Sequence, residues 1–169
     1  MEAETTTTIA NDTRLTGQLT LYDMHTDFFH FVLEGIDDAS AQNRMETRAN
    51  HIAWLAGSLV QERFDLARWF GSDMQQSHHE LFDNHKGIQD GVEYPPLLDF
   101  KADWDRISPE LRQILSEVPT GKLDETFDMD GMKMSNYDYV SFQTYREANC
   151  IGQIALWRRL LGLPAMRYM

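Results

Sequence analysis

Residues 51–71 read HIAWLAGSLVQERFDLARWFG, and this stretch decides the fold. Ile52, Leu55, Leu59, Leu66 and Phe70 recur at the steps of a helical period and form one apolar stripe. Ala56, Val60, Phe64 and Ala67 widen it, so the helix faces a core over a broad arc. Gly71 is suited to cap its C-terminus. The pattern predicts a helix over about 44–70.

Three further helices follow from the same period. One is predicted over about 14–38, on Leu15, Leu19, Tyr22, Phe29, Val32 and Leu33, with Gly35 marking its end. One is predicted over about 96–118, with a kink or short break at Ser108-Pro109-Glu110, where a cap and a first-turn proline are combined. The last is predicted over about 136–162, with Ser135 as N-cap and Phe142, Tyr145, Asn149, Gly152, Leu156 and Leu160 stepping by three and four. Strand-like alternation is nearly absent. The expected architecture is one all-α domain over 1–169, a four-helix bundle. A short link makes the first two helices antiparallel neighbours. The connection over 71–95 is long enough to traverse the bundle, so the third helix is expected parallel to the second, giving an up-down-down-up path. Residues 1–13, MEAETTTTIANDT, are polar, read as a flexible tail and lack the apolar segment of a signal peptide.

The 169 residues carry 27 acidic and 15 basic side chains, a net charge of −12 that repels phosphate backbones and argues against nucleic-acid binding. No apolar run approaches membrane-spanning length. The single cysteine, Cys150, excludes an internal disulfide and fits a cytoplasmic protein.

Several groups invite a chemical reading. His78, His79, Glu80 and His85 lie close together in the long connection, as ligands of a divalent cation or as a polar surface. His25 and His30 are five apart, a spacing that separates their faces, and each reads as a boundary residue. Asp99, Asp103, Asp105 and Glu110 read as a solvated face. The acidic segment 124–130 lacks the glycine placement of a calcium loop. On the helical wheel Arg146 falls within the face of Phe142, Tyr145, Asn149, Cys150, Gln153 and Trp157, away from solvent. It requires a carboxylate partner or an exit to the bundle mouth.

His51-Ile-Ala-Trp54-Leu-Ala-Gly57-Ser58-Leu, Glu80-Leu-Phe82, Tyr94-Pro95, Tyr145-Arg146-Glu-Ala-Asn149-Cys150-Ile-Gly152-Gln153-Ile and Arg158-Arg159-Leu-Leu-Gly162 together resemble the DinB/YfiT-like superfamily. The resemblance spans nearly the whole chain and implies an up-down-down-up four-helix bundle, commonly dimeric. It also implies a divalent metal on three histidines, used in some members for thiol-dependent S-transfer. Carried onto this sequence, the ligand positions fall on Ser58, Arg146 and Cys150, none of them histidine. No metal or other cofactor is therefore expected, with His51 as a substitute ligand, and with it zinc or nickel, as the alternative. Glu62, one turn after Ser58, is the expected partner of Arg146, and Asn149 and Gln153 are further pocket neighbours.

Whether the chain is an enzyme stays open. The first expectation is a homodimeric bundle without the family metal that binds a small molecule or a partner. The second is a metal-dependent S-transferase or hydrolase using other ligands. The third is thiol chemistry at Cys150 activated by Arg146.

Overall fold

The computed structural model describes residues 9–168. The chain is mostly helical, with one small antiparallel sheet. Four long helices, α1 (Leu15–Leu33), α3 (Ile52–Trp69), α4 (Leu97–Glu117) and α6 (Asn136–Leu160), pack around a common core. Two short helices, α2 (Asp38–Ala41) and α5 (Thr120–Asp124), lie in the connections.

α1 packs against α4 and α6, and α3 packs against the same two, so α1 and α3 face each other across the core. The expectation that they are neighbours is corrected. Their link is not short: it spans 34–51 and contains α2, which leaves enough chain to cross a diagonal. Directions follow from the contacts. Tyr22 and Phe29 of α1 meet Ser108 and Trp104 of α4, an antiparallel order. Gln18, His25 and Val32 meet Ser141, Glu147 and Arg158 of α6, a parallel order. A Cβ on Gly57 of α3 would meet Phe100 of α4, while Arg63 reaches Ser108, so α3 and α4 run parallel.

Local chemistry sets the boundaries. α1 ends at Leu33 rather than Asp38, because Gly35 turns the chain at φ +73°. α3 starts at Ile52 rather than Arg44. Met45 and Glu46 sit at positive φ, and the Arg44 guanidinium bonds the carbonyls of Arg48 and Ala49, holding this segment as a loop. His51 is the N-cap: its Nδ1 accepts from the Trp54 amide at 3.1 Å. α4 is unbroken through Pro109, where the sequence predicts a kink or break. The carbonyl that Pro109 leaves without a donor belongs to Asp105, and both residues are exposed, so the helix continues on its solvent side. Ser135 and Asp138 form a capping box at the start of α6, as its sequence predicts.

The all-α expectation is corrected by a hairpin. Thr126–Met129 (β1) pairs with Met132–Ser135 (β2) around Asp130-Gly131, both at positive φ, as a two-residue hairpin turn demands. Phe127 packs edge-on against Tyr139 and tilted on Trp69, which ties the hairpin to α3 and α6. Part of the tail expected over 1–13 is also anchored. The Asn11 amide and side chain bond the carbonyls of Ser116 and Glu117, and Ala10 is buried. Residues 1–8 of that tail lie outside the described residues.

The α6 stripe read from sequence faces outward. Phe142, Tyr145, Leu156 and Leu160 are between 42% and 61% exposed, whereas Val140, Glu147, Cys150, Ile151, Ile154 and Trp157 are buried. α6 has apolar residues on both faces, and periodicity cannot tell which one meets the core.

Candidate functional site

Two adjacent pairs of residues organise the middle of the structure: Glu62-Arg63 on α3 and Arg146-Glu147 on α6. They are antiparallel neighbours and pair crosswise.

The inner pair is Arg63 with Glu147. Arg63 is 1% exposed and donates from Nε and Nη2 to the two carboxylate oxygens at 2.5 and 3.0 Å. Its Nη1 donates to Ser108 Oγ at 2.7 Å and Thr26 Oγ1 at 2.9 Å. The guanidinium carbon lies 3.5 Å from the Trp104 ring centre and 3.8 Å from that of Tyr22. His25 Nδ1 sits 3.1 Å from Glu147 Oε2, the geometry of an N–H donated to the carboxylate. Burial alone would raise the Glu147 carboxyl, but Arg63 and His25 outweigh it and hold the group below the usual carboxylate range. Every long helix contributes to this cluster, and its polar atoms are satisfied. It is a clamp.

The outer pair is Glu62 with Arg146, 2.5 Å apart from Oε1 to Nη2. It lines a cavity of about 70 Å³ together with Trp54, Ser58, Gln61, Asp65, Phe82, His85 and Lys86. Phe82 comes from the long connection and seats against Gly57, where an added Cβ would fall 2.2 Å from its ring. Asn84 and His85 both take positive φ, turning the chain sharply so that His85 and Lys86 reach the cavity. Burial pushes the Glu62 carboxyl up to about 8, against the pull of Arg146 and with help from Glu147 and Asp65. Three side-chain atoms of the lining residues are buried without a partner: Trp54 Nε1, Gln61 Oε1 and Glu62 Oε2. Gln61 is itself 3% exposed, and its other terminal atom, Nε2, donates to Asp65 at 2.9 Å.

Trp54 and Arg146 also line an open cleft of about 330 Å³ with Asn50, Leu55, Phe142, Tyr145, Asn149, Cys150 and Gln153. The residues singled out from sequence thus divide. Ser58, Glu62 and Arg146 share the cavity. Cys150, Asn149 and Gln153 lie in the cleft, where Gln153 Nε2 donates to Asn149 Oδ1 at 2.7 Å. His51 joins neither; it caps α3 and meets Tyr94 edge-on.

The donor set at Ser58, Arg146 and Cys150 does not fit zinc or nickel. Arg146 is a cation already engaged by the Glu62 carboxyl, and Ser58 is a weak ligand. Burial pushes the Cys150 thiol up to about 11, since Glu62 opposes Arg146, so at neutral pH the reactive thiolate is scarce. This corrects the reading of Cys150 as a thiol activated by Arg146. The loop histidines do not converge: His78 pairs with Asp99, His79 with Asp83, and His30 of α1 with Asp105. Among the described residues no three His, Cys, Asp or Glu side chains are grouped to hold a metal ion. No helix among them is long and apolar enough to cross a membrane.

Sequence reasoning missed Arg63 and Glu147 and placed His25 at a boundary. A signal existed. The α3 stripe Leu55, Leu59, Leu66, Phe70 skips one turn, and position 63 fills that gap. A charged residue on an otherwise apolar stripe must be neutralised there.

No protein-family model matches the chain, and no curated protein matches it in sequence.

Proposed function

We propose that this chain is a DinB/YfiT-like up-down-down-up bundle whose cavity between α3 and α6 binds a small molecule without a metal centre. The observation that carries this reading is the Glu62–Arg146 pair at a cavity lined by two of the positions where the resemblance sets metal ligands, three of whose lining residues carry a buried atom without a partner. Buried polar groups are nearly always satisfied, and those left open at a cavity are what a ligand or water completes. The helix directions described above support the bundle assignment. A metal-dependent S-transferase or hydrolase is the competing reading. To decide, the purified protein is incubated with zinc or nickel, dialysed and assayed for bound metal. The expected result is well below one ion per chain; stoichiometric, tightly held metal overturns the reading.

The same proposal includes a homodimer. It is supported by the exposed residues Leu21, Met24 and Phe31 on α1 and Tyr145, Leu156 and Leu160 on its neighbour α6. Sedimentation equilibrium is expected to return twice the chain mass, and a monomer at micromolar concentration removes the dimer.

A further inference from the structure

We infer that the open cleft between α3 and α6, which shares Arg146 with the cavity, binds a small monocarboxylate carried on a flat apolar body. This inference rests on the small-molecule reading above. It moves the bulk of the ligand from the cavity of about 70 Å³ into the adjoining cleft of about 330 Å³. The larger volume falls at the lower end of the range of small-molecule sites, about 300–1,000 Å³.

Charge comes first. Arg146 is the sole charged residue lining the cleft, and no acidic side chain lines it, in a chain with 27 acidic residues against 15 basic. Its side chain is 34% exposed, and its one ionic partner among the described residues is Glu62, met through Nη2. Arg146 Nε and Nη1 have no oxygen partner among the described residues, and neither is among the enclosed atoms without partners, so both are open to a ligand. Burial pushes the Glu62 carboxyl up to about 8 and the Cys150 thiol up to about 11, so at neutral pH both neighbours are uncharged. The next carboxylate inward, Glu147, is taken by Arg63 and His25. The Arg146 guanidinium is thus a cation without a counter-ion. A carboxylate supplies one negative charge and two oxygens that match the planar guanidinium fork. A phosphate monoester, at about −1.5 to −2 near pH 7, exceeds what one arginine balances in an acidic chain.

The rest of the cleft sets the ligand's body. Phe142, Arg146, Asn149 and Gln153 step by four, three and four along α6 and so share one face. On the α6 side Phe142 and Tyr145 set two rings 6.5 Å apart, and α3 contributes Trp54 and Leu55. A flat apolar body on these side chains places its carboxylate at Arg146. Gln153 Nε2 donates to Asn149 Oδ1, which leaves the Asn149 NH2 group as a further donor one turn beyond Arg146. An ammonium on the same body is repelled by Arg146, and a neutral amide leaves the guanidinium charge unbalanced.

The test is an NMR titration of 15N-labelled protein at pH 7 and constant ionic strength, following the backbone amides over 142–153. Benzoate, benzamide, benzylammonium, acetate and phenyl phosphate are added in turn. Benzoate is expected to shift these resonances saturably, and each of the other four to bind at least about tenfold more weakly, since each lacks the charge, the body or the charge match. Arg146→Met is expected to weaken benzoate about tenfold, the loss of a charge-assisted hydrogen bond, and to leave the weak affinity for benzamide unchanged. Benzamide, benzylammonium, acetate or phenyl phosphate binding as tightly as benzoate overturns the assignment. So does the absence of saturation with benzoate, or full benzoate affinity in a folded Arg146→Met. The selectivity is read on the unmodified chain, so a variant that fails to fold does not rescue the idea. Stoichiometric zinc or nickel in the metal assay defeats the underlying reading instead, and the two failures are thereby distinguished.

Discussion

Glu62–Arg146 and Arg63–Glu147 have the same chemistry, on the same two helices, one residue apart. Their surroundings oppose. The inner pair is enclosed by all four long helices, doubly bonded, stacked between Trp104 and Tyr22, and its carboxyl is held low. The outer pair borders a cavity, makes one close contact, and its carboxyl is pushed up to about 8. A carboxylate accepting two N–H bonds from arginine and one from histidine has its charge repaid in place. One with a single cation and an open oxygen has the option of taking up a proton instead. A satisfied polar cluster fixes how helices pack; one left partly unpaired bears the cost of buried polar atoms without partners.

The largest expected effect breaks the inner pair. Glu147→Gln keeps the shape but strands the Arg63 charge, and a buried ion pair that loses one partner costs about 3–5 kcal/mol. Urea denaturation reads this as a lower midpoint at unchanged slope. A loss below about 1 kcal/mol would mean that water reaches the cluster and that the two pairs are alike.

The next effect is a dependence on pH. Because the native Glu62 carboxyl lies near 8 and its ordinary value is 4.5, the folded state holds more protons between these limits than the unfolded one. Stability contributed by this group is therefore lost as pH rises from about 4.5 to about 8. Glu62→Gln is expected to flatten the profile of stability against pH across that window. A variant profile parallel to that of the unmodified protein would show that Glu62 is ionised throughout.

The smallest effect is Arg146→Met. At pH 6 Glu62 already holds its proton, so removing Arg146 strands no charge and the cost is expected to stay at or below about 1 kcal/mol. At pH 9 the carboxyl is ionised in the unmodified protein, so Arg146→Met removes a charge partner and the cost is expected to grow. Equal losses at both pH values would show that the outer pair stays ionised as firmly as the inner one.

Much of this is legible in the residues. The stripe from Ile52 to Phe70 and the Ser135 cap follow from spacing, because a helical period is a local property; the pairing of Arg146 with Glu62 joins two helices distant in sequence and is expected only from the resemblance, which sets Ser58 and Arg146 at one site. The hairpin over 126–135 escapes such a reading, although Asp130-Gly131 carries a turn signal, because four-residue strands are too short for alternation to stand out. The inward face of α6 escapes it for a different reason. Phe142, Tyr145, Leu156 and Leu160 keep as good a helical step as Val140, Ile151 and Ile154, and the choice between them depends on neighbouring helices.

By itself the sequence determined that the chain is predominantly helical, where its long helices lie, and that histidine is missing where the resemblance expects ligands. Those are matters of residue type and local period. Only the tertiary structure decided that α1 and α3 sit across the core, that Arg63 and Glu147 close its centre, and that Trp54, Gln61 and Glu62 keep buried atoms without partners. Whether a polar atom is paired depends on groups far away in the chain, and no window of sequence contains them.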